Sequence, residues 1–267
     1  MYLPDLAEER LISLKKVLRK DFKEILTPEA MMAVAFIVLE CLILAGVGMR
    51  NTKLIVTTIY IAIYAAAITL VYHLGMTGAV FLRNLRERKY FYDLRNEGIS
   101  KYKVVLIKYC YTVVSLAIYA VLYVGALYLD IKLFANAFPS EKEQFEKLGV
   151  REMICGKNGD AFVPAFLATI FEYVTAILIL VALVFAVVTV TYSAFRRSRL
   201  CGINCVLVYG VIFLAFLKVY AATVNGLTGI TAHVRAGVMQ LCLSAALMAF
   251  ALYMMRKIIP DEPTAEP

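Results

Sequence analysis

The stretch YVTAILILVALVFAVVTVTYSAF, residues 173–195, decides how the rest of the chain reads. It holds no formally charged side chain across 23 residues. A hydrocarbon core of ~30 Å is crossed by ~20 apolar residues in a helix, so this run is long enough to span a bilayer. Similar runs recur on both sides of it. Over the 267 residues, 62% are hydrophobic, 18% are charged and the mean hydropathy is +0.76. A soluble domain lies nearer half apolar and a quarter charged. A soluble globular protein, a disordered chain and a disulfide-stapled secreted domain are thereby excluded. An all-α integral membrane protein remains.

Working outward from that run, the sequence predicts six transmembrane helices in one domain over residues 30–257. They are expected at about 30–49, 54–82, 109–129, within 161–195, 200–224 and 236–255. The second, at 1.5 Å per residue, would be ~44 Å long and must tilt or project from the membrane. Residues 1–29 balance six basic against six acidic side chains and lack the apolar core of a cleavable signal. Leu11, Leu14, Leu18, Phe22 and Ile25 recur at helical spacing with Lys15, Lys16, Arg19, Lys20 and Lys23 between them. That pattern predicts an N-terminal amphipathic interfacial helix on the cytoplasmic membrane surface, or else a helix packed on the protein's own loops. Thr27-Pro28-Glu29 suits the start of the next helix as cap, first helical residue and dipole partner. Residues 258–267 read as a polar tail.

The net charge of +8 would suggest a nucleic-acid partner in a soluble protein, but its placement argues for a lipid bilayer and no nucleic acid. Eighteen Lys and Arg fall in the N-terminal segment, the loop 83–103, the loop 196–199 and the end of the last span; eight fall on the other side. The outer loop, 130–160, is net negative. The positive-inside rule then places both termini in the cytoplasm of a multi-pass protein of the bacterial plasma membrane, with Arg88 and Arg197 inside and Lys142 outside. Within the outer loop, Ser140-Glu141-Lys142-Glu143 fits a capping box for a short helix over 141–148. Of six cysteines only Cys155 lies in a long polar loop, so no disulfide framework is readable.

No phosphate-binding loop of the GxxxxGK[ST] form occurs; Gly156-Lys157-Asn158-Gly159 lacks both its length and its hydroxyl. HExxH, GxSxG and CxxC are absent as well. Cys201 and Cys205 share a helix face but have no nearby histidine, so no metal site is expected. Nor is an enzyme expected. Ionisable groups inside spans are costly and mark candidate sites. Glu40, at the middle of the first span, is either a substrate- or proton-handling carboxylate or a hydrogen-bonded helix contact. His73 lies toward the cytoplasmic end of the second span and reads as structural. Glu172 and Lys218 fall toward the outer side, where Lys218 can snorkel.

The segment after the second span is FLRNLRERKYFYDLRNEG, residues 81–98. It is basic, aromatic and helix-compatible, ends in a turn at Asn96–Gly98, and is followed by Ser100 in position to cap a helix entering the third span. A solvated positive-inside loop accounts for its charge. The run Tyr90-Phe91-Tyr92 suggests a partner surface.

The chain here resembles the membrane subunits of type 2 ATP-binding-cassette (ABC) exporters. These have this length, six spans, cytoplasmic termini and often a basic interfacial helix at the start. Many carry F-x-[RK]-N-L, then Y, then L-P-x-S/T-R and [VIL]-L-x-K after the second span. Phe81, Arg83, Asn84, Leu85, Tyr90, Leu106 and Lys108 match; Gly98-Ile99 stands where the Leu-Pro is usual. The resemblance implies that loop 83–103 carries a cytoplasmic coupling helix, with Arg83, Asn84, Leu85, Arg88, Tyr90, Phe91 and Asp93 meeting an ATPase subunit. It implies a second permease subunit, as homo- or heterodimer. It places ATP and Mg²⁺ on the partner, with no cofactor in this chain. Peptide, antimicrobial or lipid-like cargo would suit apolar pathway walls. An ion-coupled secondary transporter using Glu40 and His73, or a non-transporting immunity or assembly protein, are the alternatives.

Overall fold

The computed structural model describes residues 36–87, 89–137, 162–196, 198 and 200–259, together with Val17, Ala30, Ala33 and Val34. The expected outer-loop helix 141–148, Cys155, Arg88, Arg197, the tail after Ile259 and all of the N-terminal segment but Val17 lie outside these residues. Val17 is fully buried in the apolar core.

Seven helices make up the described chain: α1 (Phe36–Gly48), α2 (Thr52–Arg86), α3 (Lys89–Asn96), α4 (Lys101–Ala137), α5 (Phe162–Phe195), α6 (Cys201–Val224) and α7 (Gly229–Ile258). Five of them, all but α1 and α3, are long and apolar enough to cross a membrane. The chain is therefore a multi-pass helical membrane protein. The expected first span is described over the 13 residues of α1, which at 1.5 Å per residue reach ~20 Å. Ala30, Ala33 and Val34 are helical ahead of it.

Helix ends run past the apolar stretches that announced them. The 35-residue α2 continues through Arg86, and the 37-residue α4 extends to both sides of the expected 109–129. The loop expected at 83–103 is consequently mostly helix: the last turn of α2, all of α3 and the first turn of α4. The first eight residues of the expected outer loop, 130–137, likewise continue α4. Nothing in the hydrogen-bonding of a helix requires it to stop where hydrophobicity stops; a cap or a turn residue must do that. The start of α2 carries such a signal. Asn51 caps α2, its side chain accepting from the Leu54 N–H at 3.1 Å, after Arg50 has turned the chain at φ 50°.

α5 is the axis of the bundle. About two-thirds of its most apolar stretch is buried, and every residue from Val181 to Thr189 is inside. Its most extensive neighbour is α7, with α2, α4 and α6 also packed on it. The α5–α7 seam is made by small residues. Gly237, Ser244 and Ala251 of α7 recur at seven-residue steps, with Ala236 beside the first, and all are buried; Ala165, Ala168 and Ala182 are buried on α5. At Gly237 the backbone approaches so closely that a Cβ would lie 2.4 Å from the Phe171 ring. Small residues let helices touch in lipid, where apolar side chains gain nothing by leaving the bilayer. By contrast, only 6% of the apolar stretch of α6 is buried. One stripe of α6, Tyr209, Phe213, Phe216 and Tyr220, is half-buried, with successive ring centroids 6.1–6.4 Å apart.

Candidate functional site

Two kinds of polar construction stand out: a platform at the basic end of the bundle and polar contacts within it.

The platform begins with α3. Its eight residues put Phe91 and Leu94 on one face, and both are buried. It ends on a paired turn: the Gly98 N–H donates to Arg95 O (2.8 Å) and the Ile99 N–H to Leu94 O (2.9 Å). Gly98 takes φ +79°, open to glycine at little cost, and Leu94 and Ile99 are buried together as this cap requires. Ser100 then accepts from the Lys103 N–H at 3.3 Å and starts α4. Leu85, Phe91, Leu94, Ile99, Val104, Val105, Met255 and Ile258 share one core, so α3 is wedged on the ends of α2 and α4 within a cluster that also takes in the end of α7. The Lys101 ammonium is buried and donates to Ile259 O, placing a cation on the negative end of α7.

The residues singled out in the sequence divide accordingly. Asn84, Leu85 and Phe91 are buried, which makes them parts of the platform's interior; Tyr90 is half-buried, its ring edge-on to Phe91 (5.3 Å) and under the Lys108 ammonium (4.8 Å). The aromatic run therefore does not project as a surface. An eight-residue helix between two long ones has to bury its apolar side. The charges exposed at this end are Arg83 and Arg86 of α2 and Lys89 and Arg95 of α3, against Glu87 and Glu97, with Asp93 half-buried. A partner would meet mainly positive charge.

Within the bundle, Glu40 of α1 lies close to Asp130 of α4, which is buried. Two carboxyl groups so placed repel each other when both are charged. His73 is buried on α2 with its ring edge-on to Tyr119 of α4 at 6.1 Å. One turn away Thr69 and Tyr123 are hydrogen-bonded at 3.2 Å, and Phe36 of α1 packs edge-on against Tyr123 at 4.9 Å. Tyr119, Tyr123 and Asp130 thus line one face of α4. The structure brings Glu40 and His73 to this common face but not to each other.

The densest polar contact joins three helices. Glu172 of α5 accepts from the Tyr220 hydroxyl of α6 at 2.5 Å and pairs with His233 Nδ1 of α7 at 2.5 Å. Further along the seam, Thr175 donates to Gln240 at 2.7 Å, and the Tyr109 hydroxyl meets Ser244 at 3.1 Å. Lys218 is exposed on α6. Sequence reasoning found Glu172 but neither Tyr220, His233 nor Asp130. The usable signal was that an acid inside a span needs a partner, and that two histidines and a handful of acids limit the choices.

Among the described residues, no group of three or more His, Cys, Asp or Glu side chains converges as a metal site would. The chain matches no family model, no characterised protein and no solved structure.

Proposed function

We propose that the chain is the permease subunit of a type 2 ABC exporter, paired with a second permease subunit and driven by ATPase subunits that bind its basic end. On this reading ATP and Mg²⁺ act on the partner, and the cargo is peptide-, antimicrobial- or lipid-like. The observation that carries the proposal is the mounting of α3. It is a short helix with Lys89 and Arg95 exposed, capped at Gly98 and packed on the ends of α2 and α4. A load applied to α3 is delivered directly to two spans and, through the Lys101 contact of α4 with Ile259, to α7, as coupling to an external motor requires.

A second reading is favoured by a different observation. Glu40 and Asp130 bring two acids together between α1 and α4, which suits an ion-coupled secondary transporter. The two are separated by purifying the full chain in mild detergent from its native membrane and assaying ATP hydrolysis. The exporter reading expects a stoichiometric ATPase subunit, lost on Lys89→Glu with Arg95→Glu while the chain itself stays monodisperse. Both side chains are exposed, so the double reversal spares the core. Transport driven by a proton gradient without any ATPase would refute it. Neither ATPase nor gradient-driven transport would leave an assembly or immunity role.

A further inference from the structure

At the basic end, the corner between α5 and α6 brings two thiols and a hydroxyl together. Cys201 is the first residue of α6 and fully buried; Cys205, one turn on, is 9% exposed; both are free thiols. Their Cβ atoms, four residues apart on one helix face, are ~5–6 Å from each other. Thr191 of α5 faces both. Its backbone oxygen lies 4.0 Å from Cys201 Sγ. Its hydroxyl, 1% exposed, makes no hydrogen bond of normal geometry among the described residues and has only a loose contact with the Cys205 thiol. Burying a hydroxyl without a good acceptor is unfavourable, and a neutral thiol is a weak one.

We propose that Cys201, Cys205 and Thr191 form a binding site for a soft monovalent metal ion, Cu(I), held between the two sulfurs. The ligand chemistry selects the ion. Structural zinc takes four ligands, and no third or fourth His, Cys, Asp or Glu converges here among the described residues. Thiolates favour Cu(I), which is content with two. On binding, two S–H bonds are replaced by two Cu–S bonds, both thiol protons leave to water, and no electron is transferred. The product carries one negative charge. That charge faces the positive end of α6, and Arg86 is within electrostatic reach of Cys205. The Thr191 hydroxyl then gains an anionic sulfur to donate to.

The test is Cu(I) titration of the detergent-purified full chain under ascorbate, in competition with a chromophoric Cu(I) chelator. A parallel protein has Cys41, Cys110, Cys155 and Cys242 replaced by Ala. Both are expected to bind one ion per chain, with copper-edge X-ray absorption reporting two sulfur neighbours. Cys201→Ala and Cys205→Ala should each weaken binding by at least a hundredfold. Thr191→Val, which keeps the shape and removes only the donor, should weaken it about 10–100-fold, as loss of a supporting hydrogen bond does at metal sites. The proposal is overturned if the four-cysteine replacement abolishes binding, if nitrogen or oxygen neighbours dominate, or if neither parent protein competes with the chelator. The four-cysteine replacement retains the pair itself, so its result stands even where a Cys201 or Cys205 variant fails to fold.

Discussion

Replacing Glu172 by Leu should loosen α6 from the α5–α7 pair, and the size of the effect follows from its two contacts. Glu172 is held at 2.5 Å by both Tyr220 and His233, which reach it from different helices. Hydrogen bonds to charged groups contribute about 1.5–3 kcal/mol in water-soluble proteins. Inside membranes, interhelical contacts average ~0.6 and reach ~1.7 kcal/mol. Side-chain accessibility of 14% at Glu172 and 17% at His233 lets water replace part of what is lost, which favours the membrane values. Two contacts then give a total of about 1–3 kcal/mol, or ~5–150-fold in the unfolding equilibrium. The assay is denaturing-detergent titration in mixed micelles, run as a double-mutant cycle of Glu172→Leu with Tyr220→Phe. The Phe variant removes one hydroxyl and leaves the aromatic stripe of α6 intact. A coupling of ~0.5–1.7 kcal/mol is expected, because the two side chains share one bond. Additivity within ~0.3 kcal/mol would mean that the contact contributes nothing, and the account of how α6 is held would fail.

Gly237→Val should destabilise by about 1–3 kcal/mol, read as a lower aggregation temperature by size-exclusion chromatography, because even a Cβ meets the Phe171 ring; unchanged behaviour would place the seam elsewhere. In a cysteine-free background, cysteine at Lys53 should react with an impermeant reagent in whole cells and cysteine at Lys89 should not, both positions being exposed at opposite ends of α2 and α3; the reverse pattern inverts the orientation. Glu40→Gln should keep fold and most activity, since an amide can donate to Asp130, whereas Glu40→Leu should damage both. Loss of all transport in Glu40→Gln with normal expression would instead assign the pair to proton handling.

The long helices were legible because charge-free runs of bilayer length admit few other structures. α3 was legible too, through local chemistry: Gly98 and Ser100 act within a few residues of themselves, and both do what their types suggest. The extent of α2 and α4 was less so, since polar residues at a helix end do not stop it. Least legible were the contacts between helices. Whether Glu172 meets His233 depends on the rotation of α5 and α7 about their axes, which is set by where Gly237 lets them approach. The inward turn of Phe91 depended likewise on α2 and α4 being there to receive it.

These contacts define which parts of the bundle move together. α7 is tied at both ends. Lys101 of α4 holds its last carbonyls at the basic end, and Glu172 of α5 holds His233 near its start. Between them the small-residue seam and the Thr175–Gln240 bond fix α7 against α5 along its length. α5 and α7 are therefore held together as one body. α6 is attached at fewer points: one aromatic stripe, the buried Cys201–Cys205 corner against Thr191, the Thr223–Met239 contact and the Tyr220–Glu172 bond. The same carboxyl that completes the α5–α7 body is thus a polar tether of the helix with the least buried apolar stretch. Severing the Tyr220 side of that carboxyl should free α6, while severing the His233 side should slacken the body that drives it.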